Sequence, residues 1–222
     1  ATLYYPCWHL EVEDLLVLKN NKGTEDNRVR HMDYGVQFNK LMYERLMQGG
    51  NITLFSPQDV PGLYEAFFND QDKFRELYEQ AERKTSIRKK SVPAIDLFSS
   101  FMNERKNTGR IYLMNVDHAN DHSSFDTSVA PIKQSNLCCE ITLPTKPLTS
   151  VHDEEGEIAL CTLSAINWGN IKSPEDFKKP CELAVRGLDA LLSYQNYPLI
   201  AAELATNNRR PLGVGIINFA YW

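Results

Sequence analysis

Near the middle of the chain stands the stretch Gln134-Ser135-Asn136-Leu137-Cys138-Cys139-Glu140-Ile141-Thr142-Leu143-Pro144. It places an amide, a thiol and a carboxylate at every second position, in Asn136, Cys138 and Glu140. Side chains two residues apart in an extended backbone point to the same side. The spacing therefore predicts a strand with these three groups on one face, while Cys139 and its apolar neighbours form the other. An ordinary half-buried strand is the alternative, because short alternating runs are common.

The flanks of this stretch predict loops on both sides. Turn-forming and polar residues precede it at 122–126, and a proline-rich segment follows at 144–147. Loops commonly carry binding and catalytic groups on a rigid scaffold. The extended segment is therefore a candidate site reached and left through loops.

Further out, the hydrophobic periodicity predicts helices alternating with strands. The predicted helices cover 8–20, 35–47, a segment starting at Ser56, 70–83, 93–107 and 173–194. The predicted strands cover 27–33, 52–55, 110–117, 158–167 and 212–219. This alternation favours a parallel α/β architecture. Residues 158–167 are almost wholly apolar, which is typical of a strand buried on both faces.

Composition narrows the function classes. The 222 residues include 24 Lys+Arg and 29 Asp+Glu, for a net charge of −5, with 42% hydrophobic and 24% charged residues. These values are typical of a globular chain with one large or two small domains. The mild acidity disfavours DNA binding, which usually requires a basic face. No apolar run approaches the about 20 residues of a membrane span, and there is no signal peptide, so we expect no membrane association.

The cysteines indicate a reducing compartment. There are five, at Cys7, Cys138, Cys139, Cys161 and Cys181. An odd number at irregular spacing disfavours a secreted disulfide framework. We therefore expect a cytoplasmic protein with reduced or catalytic thiols.

The sequence contains two candidate metal sites. Asp117-His118 and Asp121-His122 supply ligand types, but no third ligand follows at a familiar spacing, so a turn is the preferred interpretation. A structural zinc module would use Cys138, Cys139, His152 and Cys161. The absence of a CxxC pair disfavours it.

Both ends of the chain suggest truncation. It begins at Ala1 without an initiator Met and stops after an apolar aromatic run at Trp222. Chain termini are usually exposed and polar. We therefore expect an internal segment of a longer protein.

The motif at 136–140 closely resembles the catalytic finger loop in the large subunit of class I ribonucleotide reductases. Segments at 2–11, 27–37, 52–64 and 157–165 resemble the same family, and the resemblance extends over essentially all 222 residues. It implies a ten-stranded α/β barrel of two five-stranded parallel halves, with the finger loop, about 131–147, threading its centre. Residues 1–222 would then form part of this one catalytic domain.

The resemblance also implies roles for four residues. Cys138 corresponds to the cysteine that becomes a thiyl radical and removes the 3′ hydrogen of the ribose, and Glu140 to the general base on the 3′ hydroxyl. Asn136 corresponds to the amide that hydrogen-bonds substrate hydroxyls. Cys161 corresponds to one of two cysteines oxidised as the 2′ hydroxyl leaves, and its partner would lie upstream of Ala1. Cys139 replaces the usual apolar residue, and we expect it to be inert.

The implied activity is that of a ribonucleoside-diphosphate reductase, which makes 2′-deoxyribonucleotides for DNA synthesis. No cofactor is expected within this chain. The implied partners are a metal-containing small subunit that supplies the radical, a thioredoxin or glutaredoxin-type reductant and a second copy of the full subunit. Nucleoside triphosphate effectors would bind elsewhere in the full protein. The isolated segment is expected to be inactive, and a non-catalytic binding or folding piece remains the rival interpretation.

Overall fold

The computed structural model describes residues 1–221, and it divides them into two compact units that meet in sequence between Pro144 and Thr145. The strands are β1 (Thr2–Pro6), β2 (Asp33–Phe38), β3 (Asn51–Phe55), β4 (Lys89–Pro93), β5 (Ile111–Asn115), β6 (Leu163–Asn167) and β7 (Gly213–Ile217). The helices are α1 (Val12–Leu16), α2 (Lys40–Met47), α3 (Leu63–Asn69), α4 (Gln71–Arg83), α5 (Ala94–Thr108), α6 (Val116–Asp121), α7 (Lys178–Tyr194) and α8 (Ile200–Arg209).

The first unit is built on a parallel sheet of order β1-β2-β5. The central strand β2 is paired on both sides, and its last five residues are buried. The same unit also contains an antiparallel pair, formed by β3 and β4. The helices of this unit bury an aromatic cluster, formed by Trp8, Phe38, Phe67, Phe74, Phe98 and Phe101.

The second unit holds the parallel pair β6–β7 with α7 and α8. The α/β class predicted from the sequence is confirmed, but the predicted parallel pairing holds only for the β1-β2-β5 and β6–β7 sheets, because β3 and β4 are antiparallel. The described strands fall into three separate sheets and close no barrel among residues 1–221. Within the same residues, no helix combines the length and apolar character needed to cross a membrane.

Helices with strong local signals lie where they were predicted. Asp70 caps α4, since its carboxylate accepts a hydrogen bond from the Lys73 amide at 2.9 Å. Lys89 closes the other end of α4, donating to the carbonyl of Lys84 at 2.6 Å, as expected for a cation near a helix C-terminus. Helix α5 ends at Thr108, and the following Gly109 caps it with a left-handed φ of 64°.

Strand β2 corrects two predictions. Residues 27–33 were predicted as a strand and 35–47 as a helix, but the strand runs from Asp33 to Phe38 and the helix begins only at Lys40. Apolar residues at 36 and 38 alternate as in a strand, whereas those at 38 and 41 have helical spacing, so the local pattern is ambiguous. Pairing with β1 and β5 decides in favour of the strand, because tertiary context overrides local propensity.

The remaining differences are in length and exposure. The predicted helix 8–20 shortens to α1, and the helix predicted from Ser56 begins only at Leu63, as α3. The turn predicted around Asp117 and His122 is instead the helix α6, and β1, β4 and α8 were not predicted at all. The predicted strand 158–167 shortens to β6, whose Leu163 is exposed rather than buried. Leu188 and Leu192 of α7 are buried, but its Leu183 and Leu191 are exposed, because a two-stranded sheet can cover only a narrow stripe of a helix.

Candidate active site

The segment that carries the candidate site is a turn, so the prediction of an extended strand at 136–140 is wrong. The Cys139 amide donates to the Asn136 carbonyl at 3.2 Å, and Cys139 has a left-handed φ of 63°. The Asn136 side-chain Oδ1 accepts from the amides of Glu140 at 3.1 Å and Ile141 at 3.2 Å. Asn side chains that bond nearby backbone amides favour turns over strand pairing.

The turn nevertheless brings together the three predicted groups. Asn136 Nδ2 donates to Glu140 Oε1 at 2.7 Å, so the amide and the carboxylate are directly joined. Cys138 lies between them in the turn and is exposed. At the base of the turn, Ser135 Oγ donates to the Ile141 carbonyl at 2.6 Å. The arrangement presents a thiol, an acid–base group and a hydrogen-bonding amide at one accessible point.

The two adjacent thiols have different environments. Cys138 is exposed, whereas Cys139 is half-buried and packs against the hydrophobic core of the first unit. Cys139 Sγ lies 3.9 Å from the Leu113 carbonyl of β5. The predicted separation of the two thiols is therefore present, although a left-handed residue produces it and not strand alternation.

Two side chains of strand β1 donate hydrogen bonds to the backbone of the turn. The Tyr4 hydroxyl donates to the Asn136 carbonyl at 2.7 Å, and Thr2 Oγ1 donates to the Leu137 carbonyl at 2.8 Å. Burial raises the pKa of Tyr4, and the neighbouring Cys139 thiol raises it further, so the hydroxyl stays protonated near neutral pH. The sequence interpretation did not identify either residue as part of the site.

The approach to the turn is held by β2 and α6. Gln37 Nε2 donates to the Lys133 carbonyl at 2.6 Å. The Asn120 side chain exchanges two hydrogen bonds with the backbone of Ile132, at 2.8 and 2.9 Å. Gln37 could have been identified from the sequence, because a polar side chain among the apolar residues of a buried strand needs a hydrogen-bond partner.

Cys161 belongs to the second unit, where it is exposed just before β6. Residues 146–157, which precede Cys161, are closed by two backbone hydrogen bonds between Lys146 and Glu157, both 3.1 Å long. Glu157 is only 5% exposed and forms ion pairs with Lys146, at 3.2 Å, and with Arg209 of α8. Burial opposes ionisation, but the bonds to Arg209 and Lys146 outweigh it and lower the pKa of Glu157.

No metal site is formed by the described residues, because no three His, Cys, Asp or Glu side chains converge there. The Asp117 carboxylate instead accepts from the amides of Lys40 at 2.7 Å and His118 at 2.9 Å. The residues of the zinc-module alternative are divided between the units, with Cys138 and Cys139 in the first and His152 and Cys161 in the second. The geometry gives that alternative no support.

Comparison with known proteins identifies relatives along the whole chain. The family model for the barrel domain of ribonucleotide reductase matches residues 1–222. The ribonucleoside-diphosphate reductase subunit alpha of Haemophilus influenzae is 65% identical over 222 residues, and ribonucleoside-diphosphate reductase 1 subunit alpha of Escherichia coli is 64% identical. The subunit alpha of Enterobacteria phage T4 is 53% identical over 225 residues. Each match covers all of this chain but only 29% of the relative's length.

Proposed function

The chain belongs to the ribonucleotide reductase barrel-domain family, and from this premise we propose that it is a segment of the catalytic subunit of a ribonucleoside-diphosphate reductase. The protein would convert ribonucleoside diphosphates to 2′-deoxyribonucleotides for DNA synthesis. One observation carries the proposal beyond family membership. The Asn136 amide and the Glu140 carboxylate are joined at 2.7 Å, with the exposed Cys138 thiol in the turn between them.

The first step assigned to this site is a hydrogen-atom transfer. A thiyl radical on Cys138 takes the 3′ hydrogen of the ribose, which leaves a thiol on the protein and a radical on the 3′ carbon. Glu140 accepts the proton of the 3′ hydroxyl, the task of a general base. Asn136 holds Glu140 through Nδ2 and is placed to bond a substrate hydroxyl as well.

The second step is the reduction. The 2′ hydroxyl leaves as water, and a pair of thiols supplies two electrons and two hydrogens, one for the water and one for the 2′ carbon, as it becomes a disulfide. Cys138 then returns its hydrogen atom to the 3′ carbon, which completes the deoxynucleotide and regenerates the thiyl radical. Cys161 supplies one of these thiols, and the second lies outside these 222 residues. A thioredoxin or glutaredoxin-type protein would then reduce the disulfide.

The wider assembly is part of the same proposal. Residues 1–222 belong to a ten-stranded α/β barrel of two parallel halves, with residues 131–147 as its finger loop. A metal-containing small subunit supplies the radical, the full subunit is a homodimer, and effector nucleotides bind elsewhere. The protein works in the cytoplasm. The parallel order β1-β2-β5, with the finger segment hydrogen-bonded to β1 and β2, supports this placement.

The test compares the two adjacent thiols in the full-length subunit, assayed with its radical-generating partner. Serine has a stronger O–H bond and cannot hold the radical, so Cys138→Ser should abolish deoxynucleotide formation while nucleotide binding persists. Cys139→Ser is the matched control. It should keep substantial activity and lose only some stability, since a hydroxyl replaces a thiol against the core. An active Cys138→Ser enzyme, or a dead Cys139→Ser enzyme, would overturn the assignment.

A further inference from the structure

The carbonyl of Asn136 accepts two hydrogen bonds from different parts of the fold. One comes from the Cys139 amide at 3.2 Å and closes the turn. The other comes from the Tyr4 hydroxyl at 2.7 Å and ties the turn to β1. Tyr4 is only 7% exposed, so its hydroxyl makes this bond from a fixed position in the sheet. The Tyr4 hydroxyl is thus one fixed point that positions the Asn136 end of the turn relative to the sheet.

The ring of Tyr4 packs in a space that is open only because residue 35 is glycine. Tyr4 pairs with Gly35 in the register of β1 and β2. A Cβ added to Gly35 would stand 2.4 Å from the ring atoms Cδ1 and Cε1. Real Cβ contacts are never that short, and a buried ring between paired strands has little room to move. Gly35 therefore allows the ring to lie where its hydroxyl reaches the turn.

We propose that Tyr4, whose ring packs against Gly35, is a positioning residue for Cys138, and that it sets how far the thiol projects toward the substrate. The inference rests on the proposed function. Cys138 lies two residues beyond the carbonyl that Tyr4 holds, and the intervening Leu137 carbonyl is held by Thr2 of the same strand. Without the Tyr4 hydroxyl the turn keeps its internal bond and the bond from Thr2, but the Asn136 carbonyl loses its hydrogen bond to the sheet. Hydrogen transfer requires the reacting atoms to be closely aligned, and a displacement of about 1 Å can cost roughly 10²-fold in rate.

The experiment deletes one hydroxyl at a time from β1 in the full-length subunit. Tyr4→Phe keeps the ring packed against Gly35 and removes the hydroxyl. The bond to the Asn136 carbonyl is lost with it, as are the contacts with Ser135 and Cys139. Tyr5→Phe is the matched control, because Tyr5 is equally buried at 7% and its hydroxyl has no hydrogen-bond partner among the described residues. Tyr4→Phe should lower kcat by about 10- to 100-fold with KM unchanged. It should also raise the isotope effect with 3′-deuterated substrate, whereas Tyr5→Phe should do neither.

Gly35→Ala provides a second route to the same displacement. It should lower kcat in the same way, and its effect should be less than additive with that of Tyr4→Phe, because both changes act on one contact. Wild-type kcat and isotope effect in Tyr4→Phe would overturn the inference, as would equal losses in Tyr4→Phe and Tyr5→Phe, or a loss confined to KM. Cys138→Ser, run alongside, tests the proposed function separately. If that variant turns over, the function fails whatever the tyrosine variants show.

Discussion

Replacing Glu140 by glutamine removes the proposed base with very little change to the structure. The bond from Asn136 Nδ2 to Glu140 Oε1, at 2.7 Å, persists because the glutamine oxygen also accepts. The bond from the residue 140 amide to Asn136 Oδ1, at 3.1 Å, involves only the backbone of residue 140. Glu140 is exposed, and exposed substitutions typically change the free energy of unfolding by about 0.5 kcal/mol or less. The turn should therefore remain intact.

The expected loss is in the chemical step. Removal of a general base costs roughly 10²–10⁴ in rate, which at about 1.36 kcal/mol per tenfold raises the barrier by about 3–5 kcal/mol. The uncharged amide can still bond a substrate hydroxyl, so the affinity for nucleotide should change little. The predicted signature is a large fall in the single-turnover rate without a matching change in Kd.

The assay is rapid-quench measurement of deoxynucleotide formation in one turnover by the full-length subunit with its small subunit. Glu154→Gln is the control, because it makes the same charge change at an exposed glutamate outside the turn. It should react at the wild-type rate. If Glu140→Gln also reacts at that rate, Glu140 is not the base, whatever its hydrogen bond to Asn136 indicates.

Two further predictions concern the second unit. Cys161→Ser in the full-length subunit should allow radical chemistry to begin but prevent normal 2′ reduction. Product analysis should therefore find released base or an inactivated enzyme. Clean deoxynucleotide formation would contradict the role of Cys161. Glu157→Gln should weaken hydrogen-exchange protection of residues 146–158 at neutral pH, because loss of one partner from a buried ion pair costs about 3–5 kcal/mol. Since the pKa of Glu157 is lowered on folding, its stabilisation is present above its unfolded pKa, about 4.3, and is lost as pH falls through the lower folded value. Protection in wild type and variant should therefore converge in acid, and an equal difference at all pH values would refute the ion-pair explanation.

The elements predicted well from the sequence are those whose signals are local. Helix α4 carries its own cap in Asp70 and its own amphipathic spacing, and β5 is a short apolar run after Gly109. Strand β2 was shifted because its identity depends on two neighbours distant in sequence. Strand β4 was not predicted, because its identity depends on pairing with β3, which is distant in sequence. The Lys89 side chain of β4 contacts the end of α4.

At the site, residue identities were more predictable than geometry. The motif placed Asn136, Cys138 and Glu140 together, and the structure joins Asn136 to Glu140 with the exposed Cys138 in the turn between them. Nothing local in the sequence indicated a left-handed backbone at Cys139, since cysteine rarely adopts it. The hydroxyl of Tyr4 was equally hidden, because its partner lies 132 residues away along the chain.

The turn is what makes the three groups a site at all. In an extended strand each residue advances the chain by about 3.3 Å, so the backbones at 136 and 140 would stand about 13 Å apart. Side chains as short as asparagine and glutamate could share a face at that separation but could not hydrogen-bond. The left-handed residue at Cys139 reverses the chain, and the two groups meet at 2.7 Å. The same reversal turns Cys139 into the core and leaves Cys138 exposed. One backbone conformation thus selects which thiol is exposed and joins the acid–base group to the amide within the same turn.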